Sequence, residues 1–238
     1  MAAKQSHGRE DDAGNEGTTA VAAATVILLR DGAEGAETLM LRRSARLAFA
    51  GGMWVFPGGR VDDGDRDALA DDDELGAARR AATREAQEEA GLVVAPHTLI
   101  PFSHWMPPAI TPKRFSTWFF IGEAPAGEVA VDRGEIRDHV WLRPAEALRR
   151  RDAGELQLTP PTWVTLHEIT RWSRVADALA AAAARRPEHF VTRAALTPEG
   201  PVALWHGDTG YADGDATRPG PRHRLWMLET GWRYERSA

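Results

Sequence analysis

Glu85, Glu88 and Glu89 stand at i, i+3 and i+4 in the run Arg84-Glu85-Ala86-Gln87-Glu88-Glu89-Ala90-Gly91-Leu92. On a helix those positions share one face, one turn apart. Carboxylates held that close repel each other, and a hard divalent cation such as Mg²⁺ relieves the repulsion because it takes carboxylate and water oxygens. Arg84 precedes Glu88 by one helical turn and is placed to pair with it. Upstream, Phe56-Pro57-Gly58-Gly59 supplies glycines that let a loop fold tightly against the start of the helix. A metal-loaded carboxylate helix beside a Gly-rich loop suits chemistry on a phosphate chain.

A lone Glu-x-x-Glu-Glu is usually a solvated helix face. The whole string, with Arg84 before it, Gly91 after it and Gly58-Gly59 upstream, is far more specific. It resembles the Nudix box, Gly-x5-Glu-x7-Arg-Glu-U-x-Glu-Glu-x-Gly-U, where U is apolar. Arg84 to Leu92 match the second half. The first half starts at Gly59 but carries Asp65 where the pattern has Glu, and Arg66 to Thr83 intervene where the family usually has seven residues. Arg66 to about Asp73 therefore reads as an acidic insertion. Glu74 has two readings, a stand-in for the missing Glu or the third helical position of a capping box begun by Asp71. Gly91 reads as the left-handed residue that ends the helix.

The surrounding elements must position that helix. Ala20 to Leu29 reads as a buried strand, residues 31–35 as a turn, Thr38 to Leu41 as the return strand, and Met53 to Phe56 as a short strand entering a Gly-Gly turn. The helix is expected from about Glu74 to Ala90, with Ala78, Ala81, Ala82 and Ala86 as a small face for close packing on a sheet. Strands are expected over Leu92 to Phe102, broken by Pro96, and over Thr117 to Ile121 and Val140 to Leu142. A helix follows Pro144. Trp163, Leu166, Ile169, Trp172, Val175 and Leu179 recur at helical spacing and predict one long helix over 162–184, its stripe facing the core. Val191 to Leu196, Val202 to Trp205 and Arg224 to Glu229 read as strands, with a polar loop from His206 to His223. There is no internal repeat. The fold class is α/β, and the resemblance implies a Nudix-type α/β/α sandwich with a mixed central sheet and a C-terminal α+β extension. The expected division is a disordered tail over 1–18, a Nudix domain over 19–184 and a strand-rich extension over 185–238.

The chain has 238 residues, 43% of them hydrophobic, enough for one large domain or one domain with an extension. It has no cysteine, which excludes disulfides and thiol chemistry. A net charge of -6 argues against a nucleic-acid binder. No apolar run reaches the length of a membrane helix, and the polar N-terminus lacks a signal-peptide core, so a cytoplasmic location without membrane partners is expected.

Before the box, Leu39-Met40-Leu41-Arg42-Arg43-Ser44 and Gly52-x3-Phe56-Pro57-Gly58-Gly59 are similar to a signature of the coenzyme A diphosphatases within the Nudix group, departing at Leu41 and Ala48. The long box insertion and the stretch Trp105-x5-Thr111-Pro112-Lys113-Arg114-Phe115 resemble the mammalian peroxisomal, Nudix type 19-like enzymes. The resemblance implies Mg²⁺, with Mn²⁺ as the alternative, held by Glu85, Glu88 and Glu89. Arg84 and these glutamates would form the catalytic group, with Glu135 as a candidate later-loop base or else a solvated carboxylate. Arg43, Arg60, Lys113 and Arg114 are candidate phosphate donors beside Gly58 and Gly59. Trp105 or Phe115 is a candidate adenine stacker. The expected substrate is coenzyme A or acyl-coenzyme A. ADP-ribose, NADH or another nucleoside diphosphate derivative is the nearer alternative, and a non-catalytic ligand-binding protein the more distant one. A homodimer is common in the family, though no residue here specifies its interface.

Overall fold

The computed structural model describes residues 20–47, 50–67 and 73–237. The expected tail over 1–18, the signature position Ala48 and the Asp71 cap lie outside them.

Two long strands form the centre. β1 (Val21–Gly32) and β2 (Gly35–Arg43) pair antiparallel through Leu29↔Thr38, and the chain turns at Gly32↔Gly35. Their side chains alternate between two apolar faces. Ala24, Val26, Leu28, Leu39 and Leu41 point to one core, and Ile27, Leu29 and Met40 to another. Strands so buried on both faces read as continuous apolar runs, as β1 does. Two short strands, β3 (Trp54–Val55) and β4 (Gly58–Arg60), pair with β2 and β1 respectively. The expected Gly-Gly turn is thus a strand, hydrogen-bonded to Ala23–Thr25.

α1 (Glu74–Ala90) lays Ala78, Ala81, Ala82 and Ala86, all buried, on the first face. Its N-cap is Asp73, whose carboxylate accepts from Gly76 N at 2.8 Å, rather than Asp71. It ends at Gly91 in the left-handed region, φ 70°. The next residues are irregular: Leu92, Val94 and Leu99 bury their side chains without strand pairing, and Pro96 opens a 3-10 turn. β5 (Ile100–Met106) therefore begins later than the composition suggests. β6 (Phe115–Glu123) runs parallel to β1 and antiparallel to β5, and β7 (Ile136–Leu142) pairs with β2. Parallel and antiparallel pairs together make the mixed sheet that the fold class requires.

α2 (Pro144–Asp152), α3 (Pro160–Ile169) and α4 (Val175–Ala183) follow; α3 and α4 line the second face. The single helix expected over 162–184 is two helices. The break is fixed by the β1–β2 turn: Asp31 accepts from Val175 N at 2.9 Å, and Ser173 O accepts from Ala36 N at 2.8 Å. The stripe keeps its period across the break because both helices face the same core.

β8 (Glu188–Val191) joins the central sheet parallel to β5. After Thr192 the chain leaves for a second, four-stranded antiparallel sheet of β9 (Arg193–Thr197), β10 (Gly200–Leu204), β11 (His223–Leu228) and β12 (Gly231–Arg236). The strand expected over 191–196 thus belongs to two sheets. Ala203, Trp205 and Leu225 from the second sheet enter the same core as α3 and α4, while Val202, Leu204 and Trp226 pack under the loop at Ala216. Among the described residues no helix is long and apolar enough to cross a membrane.

Candidate active site

α1 turns Glu85 and Glu89 towards β4. Glu89 Oε2 accepts from Gly58 N at 2.9 Å, and the side chain is nearly buried. A Cβ on Gly59 would sit 2.2 Å from Glu85 Oε1, and one on Gly58 would sit 2.5 Å from Ala24 O. Both glycines therefore serve close approach: Gly58 lets β4 pair with β1, and Gly59 leaves room for a carboxylate. Gly59→Ala is expected to displace Glu85 and cut turnover at least about tenfold, with a stability loss of about 1–3 kcal/mol for the overpacked contact. Parallel turnover and thermal-unfolding measurements would check this, and an unaffected Gly59→Ala enzyme would mean that Glu85 has no fixed position in the reaction.

Arg84 gathers the acidic groups. Its Nη1 reaches Glu85 Oε1 at 2.8 Å and Glu88 Oε2 at 3.1 Å. Its Nε and Nη2 fork onto Asp65 at 3.2 and 3.0 Å, and Nη2 also donates to Arg60 O at 2.9 Å. The hydrogen bonds that Arg84 donates to Asp65 are the largest influence on the guanidinium pKa and raise it further, so Arg84 stays charged. Asp65 is 6% exposed and sits in a 3-10 turn where its Oδ2 also accepts from Asp62 N at 2.9 Å. This aspartate, at the pattern's Glu position, is the partner of Arg84. The box spacing pointed to it and the shorter side chain obscured it. Glu74 instead lies exposed in the first turn of α1, about 16 Å along the helix from Glu85.

Arg43, at the end of β2, spans Glu89 Oε1 at 3.5 Å and Glu135 Oε2 at 3.1 Å. Its Nε is buried without a hydrogen-bond partner. Glu135 is held there by its backbone: its N–H and that of Ile136 donate to Asp132, and its carbonyl accepts from Ser44 N at 2.7 Å. The expected residues Arg84, Glu85, Glu88, Glu89, Arg43, Gly58, Gly59 and Glu135 thus come together. Arg60 and Arg114 flank the start of β1 from its two edges, Arg60 paired with Ala23 and Arg114 O accepting from Val21 N. The Arg114 side chain is buried and donates towards Pro107 O, and Lys113 lies over the Phe115 ring at 5.3 Å.

The aromatic expectations need correction. Trp105 is 3% exposed and stacks on Phe190 at 3.8 Å, so neither face is open to a base. Phe115 alternates onto the same face as Phe119, away from α1.

Burial raises the pKa of Glu85 against the pull of Arg84, and burial pushes Glu89 up from 4.5 to about 8. Crowded carboxylates short of positive charge fit a hard cation by donor type. Among the described residues, no three His, Asp or Glu side chains form a ready cage, because Arg84 and Gly58 N hold the oxygens. An acid raised on folding binds its proton more tightly in the native state. The metal-free protein should therefore lose stability as pH rises from about 4.5 to about 8. Added Mg²⁺ should raise the unfolding temperature more near pH 8 than near pH 5. Equal shifts at both pH values would place the ion elsewhere.

A carboxylate helix locked by an arginine against a Gly-Gly strand, on a mixed sheet between helices, defines a hydrolase of phosphoanhydride bonds. The chain belongs to the Nudix family: a family model for the NUDIX domain matches residues 19–160. The chain is similar to a NUDIX hydrolase from Alicyclobacillus acidocaldarius, at 25% identity over 68% of this chain and 96% of that one, TM-score 0.62. It also shares its fold with the NUDIX domain of Shewanella oneidensis NrtR, solved with ADP ribose, at 13% identity over 68% and 93%, TM-score 0.50. No curated protein sequence matches the chain. Nudix enzymes act on pyrophosphate bonds and generally use divalent metal ions such as Mg²⁺.

Proposed function

We propose that this Nudix hydrolase is a Mg²⁺-dependent diphosphatase of coenzyme A and acyl-coenzyme A. Water adds across the phosphoanhydride bond to give adenosine 3',5'-bisphosphate and phosphopantetheine or its acyl form. The observation that carries the reading is Arg43, the arginine of the coenzyme A-type signature, which stands beside Glu89 and Glu135 with a buried, unpartnered Nε. A guanidinium so placed suits a diphosphate oxygen. Leu41, where the signature has Thr, is fully buried in the core under α1, so that departure does not touch a ligand.

Glu85, Glu88 and Glu89 would hold the metal, Mg²⁺ or Mn²⁺, which when bound would neutralise the diphosphate and activate water. Arg84 positions Glu85 and Glu88. Glu135 or a box glutamate takes the proton from the attacking water. Gly58 and Gly59 hold β4 close against β1 and Glu85, and Arg43, Arg60 and Lys113 meet the charge of the phosphate chain.

The test is a mass-spectrometric product assay with Mg²⁺, offering coenzyme A, acetyl-coenzyme A, ADP-ribose and NADH separately. Adenosine 3',5'-bisphosphate from the first two, with little cleavage of the others, is the expected result. Cleavage of ADP-ribose or NADH instead would keep the chemistry and discard the substrate.

A further inference from the structure

At the β5–β8 end of the central sheet, two strands or more from β4 and the glutamates, lies a second cluster. His104 on β5 and His189 on β8 are paired neighbours across parallel strands, and their ring centroids are 5.3 Å apart. Trp118 on β6 pairs with His104 across the next strand boundary, its ring 4.7 Å away. His104 is half-buried and His189 exposed, so the pair opens to solvent.

We propose that His104 and His189 bind a borderline divalent metal ion, zinc above all, which staples β8 to β5. Imidazole suits Zn²⁺, Cu²⁺ and Ni²⁺, whereas Mg²⁺ keeps to oxygen, so this site and the glutamates select different ions. Two imidazoles on one tetrahedral zinc, with Zn–N bonds of about 2.0–2.1 Å, hold their ring centres about 5 Å apart. The observed separation of the ring centroids matches that spacing. His104 Nε2 lies 2.8 Å from Ser116 Oγ. With its proton on Nε2, the ring donates to the serine and leaves Nδ1 for the metal, the outer-shell arrangement that fixes the tautomer of metal-bound histidines. Water completes the coordination from the open side.

The site lies where the central sheet gains its last strand, immediately before Thr192 carries the chain into the second sheet. An ion there ties together two parts of the chain that are distant in sequence and draws no ligand from the box glutamates.

The test is calorimetric titration of Zn²⁺ into the full chain in excess Mg²⁺, which occupies the glutamates, with thermal unfolding in parallel. One equivalent is expected to bind and raise the unfolding temperature. His189→Ala, an exposed substitution, should weaken binding on the order of tenfold or more and abolish the thermal shift, and Ser116→Ala should weaken it about tenfold. His97→Ala, at another exposed histidine, should bind as the wild type does. Unchanged binding in His189→Ala, or no binding by the wild type, overturns the proposal. None of these readouts depends on turnover, so the result is separate from the choice of substrate.

Discussion

Glu88→Gln is expected to cut turnover by on the order of 10²–10³-fold while the protein stays folded. The Glu88 side chain is 57% exposed and its polar partner in the cluster is Arg84, at 3.1 Å. Glutamine keeps an oxygen for Arg84 and removes the charge that a cation needs. Exposed ion pairs of this kind contribute about 0–1 kcal/mol, so the unfolding temperature should hardly move. Turnover with Mg²⁺ and thermal unfolding, run on the same preparation, separate the two effects. A Glu88→Gln enzyme that remained active and metal-dependent would remove this glutamate from the reaction.

The largest stability effect is expected far from the glutamates, at Asp208. Its side chain is 0% exposed and that of its partner Arg224 is 1% exposed. The two form a fork, Nε to Oδ2 at 2.7 Å and Nη2 to Oδ1 at 2.6 Å. Asp208 also accepts from Gly210 N and His223 N, and Arg224 donates to Ala216 O, so this one pair organises the loop between β10 and β11. Asp208→Ala strands a buried guanidinium, which costs about 3–5 kcal/mol. Replacing both partners by apolar residues of similar volume should cost much less, because no charge is then left unpaired. Urea unfolding of the single and double variants measures the difference. Equal losses in the two would mean that the pair matters through packing alone.

What the sequence disclosed depended on how local the determining interactions are. α1 was legible because its small-residue face, its carboxylates and Gly91 all lie within one run. β1 and β6 were legible as apolar, β-branched stretches. The division of the 162–184 stripe was not, since Asp31 and Ala36, in a turn distant in the chain, contact Val175 and Ser173 at the break. β12 carried a readable alternation, Trp232 and Tyr234 against Arg233 and Glu235, that went unassigned. Within the candidate site, the glutamates and Arg84 were visible from spacing. Asp65 stood at the pattern's Glu position, but its pairing with Arg84 was not legible from its type, and only the packing of Phe190 shows that the faces of Trp105 are covered.

The family match ends at residue 160, yet the core does not. Leu166, Ile169, Val175, Phe190, Trp205 and Leu225 all come from beyond it and share one apolar cluster with Phe102, Trp105 and Phe119. A fragment cut at that boundary would lose β8, leave β5 as an unpaired sheet edge and expose the aromatic side chains that Phe190 and Trp205 cover. The matched segment and the cooperative folding unit are therefore different lengths of chain. Residues past 160 complete the core on the sheet face opposite α1, and expression of 19–160 alone should yield aggregate rather than a smaller folded domain.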